Sequence, residues 1–155
     1  MSRLVCLAAT VLVAANLWSQ PGLRQGNVDA EADAAIRAVL KAQVEAWNRH
    51  DLETFMTGYW QSPNLTFFSG GTETSGWDHA FERYRSRYQS AGSEMGTLSF
   101  TELQVVVLAP DAALVRGQFH LTTIDGKNPH GLFTLVFRKL PEGWRIVHDH
   151  TSAAP

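Results

Sequence analysis

The chain has 155 residues, with 13 Lys and Arg against 15 Asp and Glu and a formal net charge of -2. This length suits a single domain. The charge balance shows no basic excess and no Lys/Arg-rich block, so nucleic-acid binding has no electrostatic support. The only cysteine is Cys6. The remainder of the chain therefore offers no disulfide, no thiolate metal site and no cysteine nucleophile.

The first 26 residues have the features of a targeting segment. Arg3 gives a positive start, and residues 4–17 form an uncharged, largely apolar run. The run is shorter than the ~20 residues that a membrane-spanning helix needs, which favours a secretory signal peptide over an uncleaved anchor. We expect residues 1–26 to be this segment, residues 27–155 to form the domain, and the protein to be exported to the periplasm or the exterior. No membrane contact is expected beyond the signal segment.

Two helices are predicted at the start of the domain. After Gly26, apolar residues from Ala32 to Trp47 recur at spacings of three and four, which predicts an amphipathic helix. Asp51 suits the cap of a short second helix over residues 52–57. For Asp51, a capping role is more common than that of a catalytic base.

A third helix is predicted after a short hairpin. The turn Ser69-Gly70-Gly71 lies between two short runs of strand-forming residues, which indicates the hairpin. Ser75 and Asp78 resemble a capping pair at the start of the helix. Its aromatic residues share one stripe: Trp77, Phe81, Tyr84 and Tyr88.

From Thr97 onward the chain consists of predicted strands alone. They are separated by short turns rich in Pro, Gly and Asp, which predicts an antiparallel meander. The strands cover residues 98–108, 113–123, 132–139 and 144–151. Helices followed by such a sheet predict an α+β domain with the helices on one face of the sheet.

The last predicted strand carries the residues that most indicate a site. Side chains alternate across a strand, so His148 and His150 share one face with Trp144 and Ile146, and Asp149 points the other way. Apolar walls ending in titratable imidazoles suit a ligand pocket. In one interpretation, His148 or His150 acts as a general acid or base, because an imidazole titrates near ~6.5.

A third histidine lies on the strand over residues 113–123. There Arg116, Gln118 and His120 share the less apolar face, which meets solvent, a partner subunit or a wet cavity. His120 is expected within reach of His148 across one intervening strand. Three histidines could bind zinc. Hydrogen-bonded residues in the wall of a cavity are the simpler interpretation, so we predict no metal and no cofactor.

Aromatic side chains supply further candidates for the wall of a cavity. Tyr59 follows the second helix, and Trp77 and Tyr84 belong to the aromatic stripe of the third. For each of them, packing in the core is the more common role. A stripe of this size would also form a roomy aromatic wall if the helix covers a curved sheet.

Several segments together resemble a known family. They are Trp47 to Leu52 at the junction of the first two helices, the Gly70-Gly71 hairpin, Gly131 to Phe137, and Trp144 to Ser152. On these segments the chain resembles the nuclear transport factor 2-like superfamily, in its SnoaL-like branch, and is also similar to the association domain of calcium/calmodulin-dependent kinase II. The resemblance covers nearly all of the chain after Val28.

The resemblance implies a cone-shaped, strongly curved antiparallel sheet that wraps the N-terminal helices and leaves a cavity. Members include isomerases, dehydratases, cyclases and epoxide hydrolases, and also proteins that only bind or assemble, so the fold does not name a reaction. The Asp base and the Tyr and carboxylic acid donors of ketosteroid isomerase-like members have no residue-by-residue match here. In related kinase association domains arginines bind carboxylates, which makes Arg116 a candidate for an anionic ligand.

We therefore predict an exported protein that binds a small, partly apolar molecule through Tyr59, Trp77, Tyr84, Arg116 and His120. An isomerase, dehydratase or hydrolase that uses the two C-terminal histidines is the alternative, and an assembly module is the second alternative. A homodimer through the sheet is expected as well. The run over residues 105–108 leaves both faces of its strand apolar, and such a strand needs a second partner.

Overall fold

The structure is a computed structural model that describes residues 21–90, 95–123 and 125–154. Residues 1–20, which hold most of the predicted signal segment, lie outside the described residues. None of the helices in the described ranges is both long and apolar enough to cross a membrane.

The described part of the chain contains the three predicted helices. They are α1 (Pro21–Asn48), α2 (Leu52–Met56) and α3 (Trp77–Tyr88). Helix α1 begins before the start expected after Gly26. The capping role of Asp51 is confirmed, because its Oδ1 accepts a hydrogen bond of 2.9 Å from the Thr54 amide.

The predicted capping pair of α3 is wrong. Ser75 belongs to a strand, and its hydroxyl donates to Glu73 at 3.4 Å rather than to the helix. The residue at the N-cap position is Gly76, which has no side chain to donate or accept. Its φ of 92° turns the chain from the strand into the helix, in a region of backbone conformation that favours glycine.

Six strands of the described residues form one sheet. They are β1 (Thr66–Ser69), β2 (Thr72–Ser75), β3 (Thr97–Ala109), β4 (Ala112–Thr122), β5 (His130–Leu140) and β6 (Gly143–Ala153), in the order β2-β1-β6-β5-β4-β3. The hairpin and the antiparallel meander from β3 to β6 are confirmed. The sheet is mixed rather than wholly antiparallel, because β1 runs parallel to β6. The α+β class is confirmed, and the cone shape and strong curvature stay predictions.

The core lies between α1 and one face of the sheet, here called the inner face. Ile36 and Leu40 of α1 are fully buried, as are Val115 and Phe137 on the sheet. The end of α1 is fixed to β3 through Asn48. Its side chain donates to the Leu98 carbonyl at 3.0 Å and accepts from the Leu98 amide at 2.7 Å.

A bulge in β6 determines which residues reach the inner face. Val136 pairs with His148, whereas the next residue of β5, Phe137, pairs with Ile146, so Val147 is an extra residue. An extra residue moves every side chain beyond it to the opposite face. Ile146 is therefore buried before the bulge and Asp149 is buried after it. The expected common face of Trp144, Ile146, His148 and His150 is wrong for this reason.

Candidate functional site

Asp149 lies at the centre of a buried hydrogen-bond network. The Tyr59 hydroxyl donates to Asp149 Oδ2 at 2.8 Å, and the Thr151 hydroxyl donates to Asp149 Oδ1 at 2.7 Å. The Tyr84 hydroxyl lies 3.2 Å from that of Tyr59. Asp149 and Tyr59 are each 4% exposed. Among the described residues, Asp149 is the only buried carboxylate.

Local backbone structure places these groups together. The chain after α2 pairs with β6 just before the bulge: the Trp60 amide donates to the Ile146 carbonyl at 2.9 Å, and the Ile146 amide donates to the Gly58 carbonyl at 3.0 Å. This pairing brings Tyr59 beside β6. The bulge then turns Asp149 towards the Tyr59 hydroxyl.

Tyr84 reaches the network from α3. Its ring packs against Phe55 at 5.3 Å and against Phe67 at 5.6 Å between ring centroids. Contacts of this kind fix a ring in one orientation. The Tyr84 hydroxyl is therefore held next to that of Tyr59 without a further polar partner in the described part of the chain.

A pocket, here called the inner pocket, borders the network. Its volume is about 80 Å³. Most of its walls are aromatic or aliphatic, and the polar residues in the walls are Gln43, Tyr59, Tyr84, Tyr88, Asp149 and Thr151. Pockets for drug-sized ligands measure roughly 300–1,000 Å³, and a dry cavity of about 150 Å³ binds benzene. The inner pocket therefore suits only a small molecule or one end of a longer one.

Burial controls the ionisation of the three acidic groups. It raises the pKa of Asp149 from 3.8 to about 6, although the hydrogen bonds from Thr151 and Tyr59 oppose the rise. Burial and the neighbouring Asp149 charge raise the pKa of Tyr59 and of Tyr84 well above the usual value. Near neutral pH the tyrosines are therefore hydrogen-bond donors, whereas Asp149 can gain or lose a proton.

A known family of proteins matches most of this chain. Residues 36–155 match the model of the SnoaL-like domain. The chain belongs to the SnoaL-like family. The match includes every residue of the Asp149 network and all six strands of the sheet.

Solved structures agree with this assignment. A nuclear transport factor 2-like protein of unknown function from Shewanella oneidensis MR-1 is 38% identical, with a TM-score of 0.72, and the match covers 77% of this chain and 98% of that one. A ketosteroid isomerase-like protein from Erwinia carotovora atroseptica is 24% identical over 79% and 96% of the two chains, with a TM-score of 0.63.

A third structure is a putative calcium/calmodulin-dependent protein kinase type II association domain from Thiobacillus denitrificans. It is 22% identical over 77% of this chain and 94% of that one, with a TM-score of 0.64. The last two likenesses support the fold alone. No sequence among the curated proteins matches the chain.

In this SnoaL-like domain, two of the predicted ligand-binding residues meet at one place. Tyr59 and Tyr84 both line the inner pocket. Trp77 lies outside it: its Nε1 donates to the Met56 carbonyl at 3.1 Å, and its ring stacks on Phe81 at 5.2 Å. The hydrogen bond attaches the start of α3 to the end of α2, whereas the ring contact lies within α3.

The two C-terminal histidines lie on the opposite face of the sheet, here called the outer face. His148 Nδ1 is 2.7 Å from the Thr66 hydroxyl, and its ring meets Phe68 edge to face at 4.9 Å. Burial, followed by the charge of His150, lowers the pKa of His148. His150 is exposed. Neither histidine lines the inner pocket.

Arg116 and His120 also lie on the outer face. Arg116 donates to Gln104 Oε1 at 3.0 Å, and His120 lies 3.2 Å from the Thr101 hydroxyl and stacks on His130 at 6.0 Å. In the strand register, His148 is level with Leu114, six residues before His120 on β4.

That offset separates His120 from His148 by at least ~20 Å at ~3.3 Å per residue. The expected proximity of His120 to His148 is therefore wrong. Within the residues the structure describes, no three His, Cys, Asp or Glu side chains are grouped so as to hold a metal ion.

Proposed function

We propose that the inner pocket binds a small, largely apolar molecule that places one carbonyl or hydroxyl group against Tyr84. The observation that carries the proposal is the buried chain of hydrogen bonds from Tyr84 through Tyr59 to Asp149 in an otherwise apolar pocket. Ligand sites commonly combine apolar walls with a few placed polar groups.

The number of protons in this hydrogen-bonded network determines whether Tyr84 can donate a hydrogen bond to a ligand or only accept one. A hydroxyl has one proton to donate. When Asp149 is ionised, Tyr59 donates to it, and Tyr84 donates to Tyr59. The Tyr84 oxygen then has only acceptor capacity left. When Asp149 is protonated, it can donate to Tyr59, Tyr59 to Tyr84, and Tyr84 to a ligand carbonyl.

This argument gives the binding site a pH dependence. A carbonyl ligand should bind more tightly as Asp149 becomes protonated, near its pKa of about 6. Asp149→Asn supplies a permanent N–H donor in place of the acid, so it should make carbonyl binding independent of pH. A hydrocarbon of the same shape should show no such dependence in either protein.

The direct test measures binding of cyclopentanone by NMR titration at pH 5 and pH 8, with cyclopentane as the apolar reference. Tyr84→Phe should weaken cyclopentanone binding at pH 5 about fivefold, since one hydrogen bond contributes about 1 kcal/mol. His148→Gln, on the outer face, should leave the affinity unchanged. Equal binding of cyclopentanone by the wild type and Tyr84→Phe at pH 5 would refute the proposed role of the network.

A second candidate function is acid catalysis, and the raised pKa of Asp149 favours it. General acids work best when their pKa lies near the working pH. Protonated Asp149 can deliver a proton through Tyr59 and Tyr84 to a substrate hydroxyl, which leaves as water. This is the dehydratase type of reaction, with Asp149 in the role that the sequence suggested for His148 or His150.

Loss of water from 3-hydroxycyclopentanone tests this candidate, because the enone product absorbs ultraviolet light. The α C–H bond and the C–O bond break, and a C=C bond forms between the two carbons. The proton from Asp149 leaves with the hydroxyl as water, the α-proton passes to solvent, and Asp149 regains a proton from solvent. The rate should rise as pH falls through about 6 and should be lost in Asp149→Asn. His148→Gln should keep the rate. A rate that follows His148 instead would return the catalytic role to the outer face.

A further inference from the structure

A second pocket, here called the outer pocket, adjoins the inner one beside α3. It lies on the same side of the sheet as the inner pocket and not on the outer face. Its volume is about 110 Å³. The two pockets share four wall residues, which are Tyr84, Tyr88, Phe119 and Thr151. A molecule too long for the inner pocket would therefore extend past Tyr84 and Tyr88 into the outer one.

Two arginines of α3 line the outer pocket, and among the described residues no carboxylate does. They are Arg83 and Arg87, four residues apart and so on the same side of the helix. Both also line a cleft that continues along the hairpin turn to His150, and none of the described residues in the walls of that cleft is a carboxylate. The region outside the inner pocket therefore has a positive charge that no described residue in its walls neutralises.

These arginines differ from their neighbour Arg85. Arg85 forms an ion pair with Glu82, whereas Arg83 and Arg87 form no ion pair with any described residue. Their guanidinium groups lie instead over aromatic rings, Arg83 over Phe67 at 5.6 Å and Arg87 over Tyr88 at 5.5 Å. Ring contacts of this kind leave the N–H edges of a guanidinium available to an anion.

Like charges four residues apart destabilise a helix slightly. Arg83 and Arg87 therefore lower the stability of α3, and the fold does not require both charges. The charges also act on the pocket wall. Both arginines favour the ionised form of Tyr88, against the effect of burial, which raises the pKa of that residue. Asp149, which lines the inner pocket but not the outer one, has the opposite sign and repels an anion from the inner pocket whenever it is ionised.

We propose that Arg83 and Arg87 form a carboxylate-binding subsite at the mouth of the pocket, so that the ligand is a small apolar compound with a terminal carboxylate. Its apolar body occupies the inner pocket, and its carboxylate lies in the outer pocket. The arrangement of charges sets this orientation, because the arginines attract the carboxylate and Asp149 excludes it. The inference rests on the proposed function for the apolar half of the ligand.

The experiment compares matched carboxylate and amide probes by isothermal titration calorimetry at pH 7.5 and low ionic strength. The pairs are butyrate with butyramide, hexanoate with hexanamide, and 3-phenylpropionate with 3-phenylpropanamide. Each amide keeps the shape of its partner without the charge. The protein variants are the wild type, the double variant Arg83→Gln/Arg87→Gln, and Arg85→Gln as the matched control on the same helix.

We expect the wild type to bind the carboxylate of the best pair about tenfold more tightly than the amide, since Arg–carboxylate pairs are strong but these arginines are partly exposed. The double variant should lose this preference and keep its affinity for the amide. Arg85→Gln should retain the preference. Raising the salt concentration to about 0.5 M should reduce it, because salt screens exposed charges.

The outcomes separate this inference from the proposed function. Equal affinity for both members of every pair in the wild type would overturn the carboxylate subsite and leave the apolar pocket in place. A preference that persists in the double variant would overturn it as well. If no probe of either kind binds, both the subsite and the proposed function fail.

Discussion

The two faces of β6 place three consecutive residues in three different environments. Asp149 is buried in a hydrogen-bond network on the inner face, whereas His148 is half-buried beside Thr66 and His150 is exposed on the outer face. The histidines carry the chemistry that a sequence most readily suggests. The carboxylate between them lies in the pocket, so the direction of each side chain matters more than its type.

The largest expected effect comes from a change of register in β6. Deletion of both Val147 and His148 would make Asp149 follow Ile146 directly, which turns Asp149 towards the outer face and His150 towards the core, since successive residues of a strand point to opposite faces. Burying His150 without a partner and removing Asp149 from Tyr59 should abolish cooperative unfolding. Circular dichroism during thermal denaturation measures this. Deletion of Val147 alone removes only the extra residue and leaves Asp149 on the inner face, so this variant should unfold cooperatively. An intact transition in the double deletion would contradict the role of the register.

The second prediction concerns the pH dependence of stability, where the two faces have opposite signs. The pKa of Asp149 is raised to about 6 in the folded state, so folding favours its protonated form. Its contribution is therefore most favourable below the unfolded pKa near 4 and is lost as pH rises through about 6. A shift of about two units corresponds to roughly 3 kcal/mol in the free energy of unfolding.

His148 acts in the other direction. Its pKa is lowered in the folded state, so its contribution is present above its unfolded pKa near ~6.5 and is lost as pH falls. Urea denaturation from pH 4 to pH 8 measures both slopes. Asp149→Asn should remove the decrease in stability with rising pH, and His148→Gln should remove the smaller increase. A wild-type decrease that survives in Asp149→Asn would show that another group causes it.

The sequence predicts the fold well because the helices, caps and turns follow from regular spacings of residues along the chain. The aromatic stripe of α3, the Asp51 cap and the turns between β3 and β6 all depend on spacings along the chain, and all are found in the structure. The inner face of β4 also follows simple alternation, with Val115 and Leu121 buried and Arg116 exposed. Such features involve residues close in sequence.

The site is predicted poorly because it depends on one interruption of that alternation. Nothing in the residues from Trp144 to Thr151 marks Val147 as the extra one, since Val is common in regular strands. The pairing partner Tyr59 is also distant in the chain, and its contact with β6 fixes the register there. The one available signal is an acidic residue inside an otherwise strand-forming segment, because such a residue needs a buried partner if it faces the core.

A third prediction compares one hydroxyl on each face. Tyr59→Phe removes a donor from buried Asp149, which should lower the free energy of unfolding by about 1–3 kcal/mol at pH 7.5. Thr66→Val removes the contact of half-buried His148 and should cost about 0.5–1 kcal/mol. Urea denaturation of both variants measures the difference. Equal losses would indicate that the Asp149 network contributes no more than a contact at the surface.

The smallest effect on stability is expected at Leu132 on the outer face, where we propose that two sheets pack in a homodimer. Leu132 is 60% exposed, and Leu108 and Val106 on the outer face of β3 are also exposed. Leu132→Lys should change the free energy of unfolding of one subunit by less than about 0.5 kcal/mol. It should nevertheless convert the dimer to a monomer at micromolar concentration, because a lysine charge would have to be buried without a partner.

Analytical ultracentrifugation gives the mass, and Val28→Lys, an exposed position on α1, is the control that should remain a dimer. A monomeric wild type would remove the assembly role from the outer face. His148 and His150 would then lie on a surface with no proposed partner, and the inner face would hold the only site for which the structure supports a function within the described residues.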